Sequence, residues 1–189
     1  MHMTGDSVTQ TGNASVPVYT IGHSTRTIPE LGALLGESHI EMVIDVRAIP
    51  RSRTNPQFNL EVLPSSLADF AIGYRHIPEL GGRRHHPRGA PPSPNTFWRN
   101  ESFRNYADYA ATDAFKAGMS RLRELAMSRS CAIMCSETLW WRCHRRIISD
   151  YLLVDGVPVL HIMGSHKTEP AVLTPNARRI GDGTLLYRE

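Results

Sequence analysis

Long apolar runs are missing from this 189-residue chain. No stretch approaches the roughly 18 consecutive apolar residues that a membrane-spanning helix needs, so no membrane partner is expected. The first residues lack a charged start followed by an apolar segment, and no secretory signal is expected there. Cysteine is scarce. Three residues, an odd number, do not make a disulfide framework and read as reduced thiols in a cytoplasmic protein. Lysine is scarcer, standing only at Lys116 and Lys167, so the cations are mainly arginines. The net charge of +3 is too mild to mark nucleic-acid binding by itself. Hydrophobic residues at 41% and charged residues at 21% leave an ordinary globular chain, long enough for one domain with a sizeable core.

Residues 1–15 are polar and rich in Gly, Thr and Asn, and they read as a disordered tail before a single domain over 16–189. Within that domain, apolar runs alternate with stretches of helical spacing. Val16–Ile21 reads as a strand that stops at Gly22-His23-Ser24. Thr27, Pro29 and Glu30 form a capping-box pattern ahead of an apolar face of Ile28, Leu31, Leu34 and Leu35. Met42–Arg47 is a second strand, apolar enough to be buried on both faces. A helix over about 60–71 and a short strand at Tyr74–Ile77 follow. Phe103 to Ala110 and Phe115 to Ala126 have helical spacing, and Cys131–Cys135 and Val157–Met163 are further strands. The segment 168–189 reads as a tail with one short strand at Leu185–Tyr187. The Pro-rich segment 87–96 is irregular and is expected to be either a lid or disordered. This order implies a three-layer α/β/α fold around a largely parallel sheet.

The chemistry concentrates where strands end. Cys131–Cys135 leads into Ser136-Glu137, then Trp140-Trp141, and then Cys143-His144-Arg145-Arg146 at the start of a helix. In an open α/β sheet the carboxyl ends of the strands form the ligand crevice. A thiol beside arginines at a helix N-terminus is activated, so Cys135 and Cys143 are candidate nucleophiles and His144 a candidate base. Asp45, Glu137 and His144 offer general acid/base chemistry. Arg145 opens a helix whose free N–H groups favour phosphate, and Arg47 can add a bidentate contact. Alternatively, Arg47 or Arg145 pairs with Asp45 or Glu137 as a structural ion pair. Cys135, Cys143 and His144 are also candidate zinc or iron ligands, but the thiols stand seven residues apart, against about two to four in a zinc knuckle. Trp140 and Trp141 among arginines suggest base stacking, or an aromatic lid packed on the core.

Gly22-His23-Ser24, Asp45-Val46-Arg47 with Pro50 and Ser52, Leu80-Gly81-Gly82, and Cys135-Ser136-Glu137 with Cys143-His144-Arg145 together resemble the domain of unknown function 488 family, from about Tyr19 to His161. That resemblance implies one α/β domain with its site at the cysteine, glutamate and Cys-His-Arg positions. It implies no activity. Ile44-Asp45-Val46-Arg47 is also similar to a segment of rhodanese domains, but the Cys135 loop lacks the glycines of a persulfide cradle.

The expectation is therefore an enzyme acting by hydrolysis or group transfer on a small anionic or aromatic molecule, such as a nucleotide, nucleobase or nucleic-acid component. Cys135, Glu137, Cys143, His144 and Asp45 are its expected catalytic groups. His23, Ser24, Arg47, Ser52, Arg145 and Trp140 are expected to bind substrate. A non-catalytic nucleic-acid-binding or regulatory module, and a metal-dependent or redox protein, are the alternatives. No cofactor is identified by the sequence.

Overall fold

Short apolar runs that are hydrophobic at every position can only be buried on both faces, and here they form the centre of a parallel sheet. In this computed structural model, which describes residues 16–189, five parallel strands lie in the order β3-β2-β4-β1-β5. They are β1 (Val18–Gly22), β2 (Met42–Asp45), β3 (Gly73–His76), β4 (Cys131–Cys135) and β5 (Val159–Gly164). A sixth strand, β6 (Lys167–Pro170), pairs antiparallel with the outer edge of β5. The expected tail over 1–15 lies outside the described residues.

Alternation along the strands divides the core in two. On β4, Cys131, Ile133 and Cys135 join one cluster, while Ala132 and Met134 join the other. The first cluster is covered by α3 (Glu101–Tyr109), α4 (Asp113–Ser128), α5 (Arg145–Val154) and a hairpin of β7 (Ala177–Arg179) and β8 (Leu185–Tyr187). The second is covered by α1 (Ile28–Glu37) and α2 (Leu63–Ala68). The fold is thus the expected three-layer α/β/α domain. The Thr27 capping box is formed: Thr27 N donates to Glu30 Oε2 at 2.7 Å, and Thr27 Oγ1 accepts from Glu30 N at 3.3 Å.

Two local expectations are corrected. The helix expected over about 60–71 is shorter, because Asn59–Val62 makes a turn first and Ala71 leaves the helical region at φ 58. The segment 168–189 holds three strands rather than one. β6 (Lys-Thr-Glu-Pro) is a mostly exposed edge strand with no apolar period to read. β8 is tied down by Tyr187, which is fully buried and donates its hydroxyl to Asp150 Oδ2 at 3.0 Å. The Pro-rich segment is irregular, as expected, and is anchored at its far end. Asn95, nearly buried, donates to Asp108 Oδ1 at 2.7 Å and accepts from Tyr187 N at 3.0 Å, pinning the segment to α3 and β8. Trp98 then packs against Phe103 and Tyr187.

The chain leaves β1 for β2, passing the place that β4 later fills, and returns across β1 to β5. That reversal leaves a crevice at the carboxyl ends of β1, β2 and β4.

Candidate active site

The crevice is a pocket of about 660 Å³, a volume suited to a small molecule. It is lined by His23–Thr25 after β1, Arg47–Ile49, Arg51 and Ser52 after β2, Gly82 and Arg83 after β3, Cys135–Thr138 after β4, Arg142–His144 ahead of α5, and part of α3. Two glycines let these loops meet. A Cβ at Gly22 would lie 2.0 Å from the Glu137 carbonyl oxygen, and one at Gly82 would lie 2.3 Å from His144 Nδ1. At both positions close approach, not turn geometry, excludes a side chain. Ser24, on the pocket wall, holds a left-handed φ of 51, a conformation that a non-glycine residue rarely adopts.

Cys135 ends β4, and Cys143 returns to it through a one-turn 3-10 helix over Trp140–Arg142. His144 Nε2 donates to the Val46 carbonyl at 2.9 Å. A carbonyl only accepts, so in the neutral ring the Nδ1 lone pair faces the sulfurs. It lies 3.5 Å from Cys143 Sγ and 4.0 Å from Cys135 Sγ. The two thiols titrate as a pair. The hydrogen bond to Cys143, then burial, push Cys135 up to about 12. Burial also pushes Cys143 up, but the hydrogen bond from Cys135 and the Arg145 guanidinium outweigh it and bring Cys143 down to about 6. Within the pair, the charge of Arg145 favours a thiolate on Cys143 over one on Cys135. Cys131, at the far end of β4, is buried core and is pushed up to about 11 by burial.

Beside this centre lies a closed polar network. Asp45 is fully buried and accepts from Arg47 N at 3.0 Å, from the Arg47 guanidinium at 2.5 to 3.0 Å, and from the Tyr74 hydroxyl at 2.6 Å. Arg47 also donates to the Phe58 carbonyl at 2.7 Å. His23 Nδ1 donates to the Ser24 carbonyl at 2.9 Å, and its Nε2 accepts from Arg47 at 3.3 Å. Burial, aided by the Arg47 charge, lowers His23 to about 4, so the ring is neutral. Asp45 does not line the pocket, and its lone pairs are already used. Its part is to hold Arg47, which makes the Arg47–Asp45 pair the structural one among the sequence alternatives.

Other expected residues are also placed away from the pocket. Arg145 is 1% exposed and donates to Cys143 Sγ at 3.3 Å, to the Glu137 and Thr138 carbonyls, and to Thr20 Oγ1. It orders the β4 loop and faces the Cys143 sulfur. Trp140 stacks on buried His161 with ring centroids 4.3 Å apart, and neither lines the pocket. His23, Ser24, Arg47, Ser52, Cys135, Glu137, Cys143 and His144 do line it.

The pocket adds residues that the sequence reading did not assign. Arg83 and Arg142 are exposed and line it, and among the described residues neither forms an ion pair. Arg51 is bonded to Glu61 and Arg47 to Asp45, so Arg83 and Arg142 are the uncompensated cations. Among the described residues, Glu137 is the single carboxylate in the lining. Tyr106 sits beneath His144 with ring centroids 5.1 Å apart and donates to the Leu80 carbonyl at 2.7 Å. Arg83 follows directly on Leu80-Gly81-Gly82, so that motif was the signal that could have found it.

A largely parallel sheet with helices on both faces and a polar pocket at its switch point defines an α/β protein with a crevice at the carboxyl ends of its strands. A family model described as "Domain of unknown function DUF488" matches residues 27–152, about two thirds of the chain, and the chain belongs to that family. The match excludes Gly22-His23-Ser24 and His161, which the sequence resemblance had included. No curated protein and no solved structure matches the chain.

Proposed function

We propose that this protein is an enzyme that binds a small phosphate-bearing molecule, such as a nucleotide, and acts on it by hydrolysis or group transfer. One observation carries the reading. A thiol–thiol–imidazole centre and a single carboxylate share a 660 Å³ pocket with two arginines that have no carboxylate partner. Arg83 and Arg142 supply anion recognition, as planar forks matched to phosphate oxygens. Phe103, on the α3 wall, offers an apolar surface to a base or sugar. Glu137, exposed and held by an amide hydrogen bond from Leu139, is the acid/base group. Cys143, Cys135 and His144 form the reactive centre. Work in the cytoplasm is supported by three free thiols, and a partner outside the membrane by the absence of any helix long and apolar enough to cross one among the described residues.

Turnover of a panel of nucleotides and phosphate esters tests this reading. Replacing Arg83 and Arg142 by alanine is expected to raise KM by about 10- to 100-fold for the pair, at about 1–3 kcal/mol for charged hydrogen bonds, with kcat less affected. Unchanged KM would remove phosphate recognition from the reading. A nucleic-acid-binding module is the second reading, favoured by Trp141, 42% exposed beside Arg142. It requires affinity for single strands that falls steeply with salt.

A further inference from the structure

The geometry points to a bound zinc ion held by Cys135 Sγ, Cys143 Sγ and His144 Nδ1, with its fourth position open to the pocket. This gives the reactive centre its chemistry, and its catalytic part rests on the function proposed above. The donor set carries the ion-binding part independently.

The three donor atoms lie within 4.8 Å of one another, and among the described residues they are the one group of at least three His, Cys, Asp or Glu that meets this condition. A tetrahedral zinc with bonds of about 2.3 Å to sulfur and 2.05 Å to nitrogen puts sulfur about 3.6 Å from nitrogen. The observed separations are 3.5 Å from Cys143 and 4.0 Å from Cys135, so one sulfur already fits and the other needs a shift of a few tenths of an ångström. Two thiolates and a neutral imidazole match a dication in charge and suit a borderline-soft metal.

The surroundings match those of a metal ligand set as well. His144 gives its Nε2–H to the Val46 carbonyl, which fixes the tautomer and turns the Nδ1 lone pair towards the sulfurs. Arg145 donates to Cys143 Sγ at 3.3 Å, the kind of outer hydrogen bond that steadies a ligating thiolate. Gly82, lacking a Cβ, lets the imidazole ring pack directly against its backbone. The fold thus overcomes a sequence spacing that spoke against a metal, because the 3-10 turn over Trp140–Arg142 folds seven intervening residues out of the way.

All three donors line the pocket, and no Asp or Glu joins them. Three protein ligands and an open position are the pattern of catalytic zinc, whereas structural zinc is closed by four. Zinc there would supply a Lewis acid and an activated water, which favours hydrolysis over thiol-based group transfer. Glu137, in the same lining but outside the donor group, is then available to take the proton of that water.

The test is metal binding by the full chain. Protein purified without chelator is expected to carry about one zinc per chain by elemental analysis. Stripped with chelator and titrated with Co2+, it should bind one equivalent with a thiolate-to-cobalt charge-transfer band and the visible bands of a tetrahedral ion. Cys135→Ser, Cys143→Ser and His144→Ala should each weaken that binding by more than about 100-fold, while Cys131→Ala leaves it unchanged. Because those variants can lose structure, wild-type protein supplies a second readout: zinc should shield Cys135 and Cys143 from alkylation, as read by peptide mass spectrometry. Folded protein that holds less than about a tenth of an equivalent of metal and gives no charge-transfer band overturns the zinc site. So does equal alkylation with and without zinc. Stripped protein that keeps its turnover overturns the catalytic part of the inference while leaving the proposed pocket function standing. Loss of phosphate recognition on its own does the reverse.

Discussion

Gly82→Ala puts the geometry of the centre at risk with one methyl group. The added Cβ would lie 2.3 Å from His144 Nδ1 and 2.7 Å from its Cγ, where ordinary contact begins near 3.4 Å. The imidazole must therefore retreat by about 1 Å, an overpacking strain of about 1–3 kcal/mol. It is held on its other side by the 2.9 Å bond to Val46 O and by the Tyr106 ring. Retreat forfeits that hydrogen bond, about 1 kcal/mol, so the total loss of stability is about 2–4 kcal/mol. A displacement of that size at a reacting group also costs about 100-fold in kcat. Urea unfolding of four proteins (wild type, Gly82→Ala, His144→Ala and the double variant) isolates the contact. In the His144→Ala background the ring is gone, and Gly82→Ala should then cost under about 1 kcal/mol. An equal cost in both backgrounds would refute the reasoning, because the strain would lie elsewhere in the Gly81–Gly82 turn.

Two further outcomes follow from groups away from the centre. Gly36, inside α1, has nothing within 4 Å of where a Cβ would stand, so Gly36→Ala should raise stability by about 1 kcal/mol in thermal or urea unfolding. The pH dependence of stability should set His23 and His161 against Asp150. Burial, with the Arg145 charge, brings His161 from 6.5 down to about 4, so its contribution of about 3 kcal/mol is full above pH 6.5 and is lost as pH falls to 4. Burial raises Asp150 from 3.8 to about 6 despite its bonds to Thr174 and Tyr187, so its similar contribution is full below pH 3.8 and is lost as pH rises through 6. His23, also lowered from 6.5 to about 4, adds a loss like that of His161, so stability should fall by about 3 kcal/mol between pH 6.5 and 4. Asp150→Asn removes the opposing group and should deepen that loss to about 6 kcal/mol, measured by urea unfolding across that range; a curve parallel to wild type would count against the Asp150 assignment.

The strands, the α1 cap and the crevice were legible because they rest on local signals: apolar runs, a Thr-x-x-Glu box, and glycines after strands. Cys135, Glu137, Cys143 and His144 were legible for the same reason, since they follow one strand and open one helix. Roles that depend on partners distant in sequence were not. Arg145 and Arg47 look alike as residues, yet Arg145 is spent on main-chain carbonyls and a sulfur, while Arg47 is spent on Asp45 and a carbonyl. Trp140 looked like a rim aromatic, but its ring lies on His161, 21 positions later in the chain. The closeness of the two thiols depended on how a seven-residue loop reverses, which residue spacing does not encode. β6 left no period because an exposed edge strand needs none.

The central claim is that chemistry occurs at the Cys135–Cys143–His144 centre of this pocket. Its most direct test is kcat of Cys143→Ser on whichever phosphate-bearing substrate the panel yields, with circular dichroism to confirm the fold. The account predicts a fall of at least about 100-fold with KM little changed, since Cys143 touches the reacting atoms and Arg83 and Arg142 do the binding. A folded Cys143→Ser protein that turns over at the wild-type rate would contradict it.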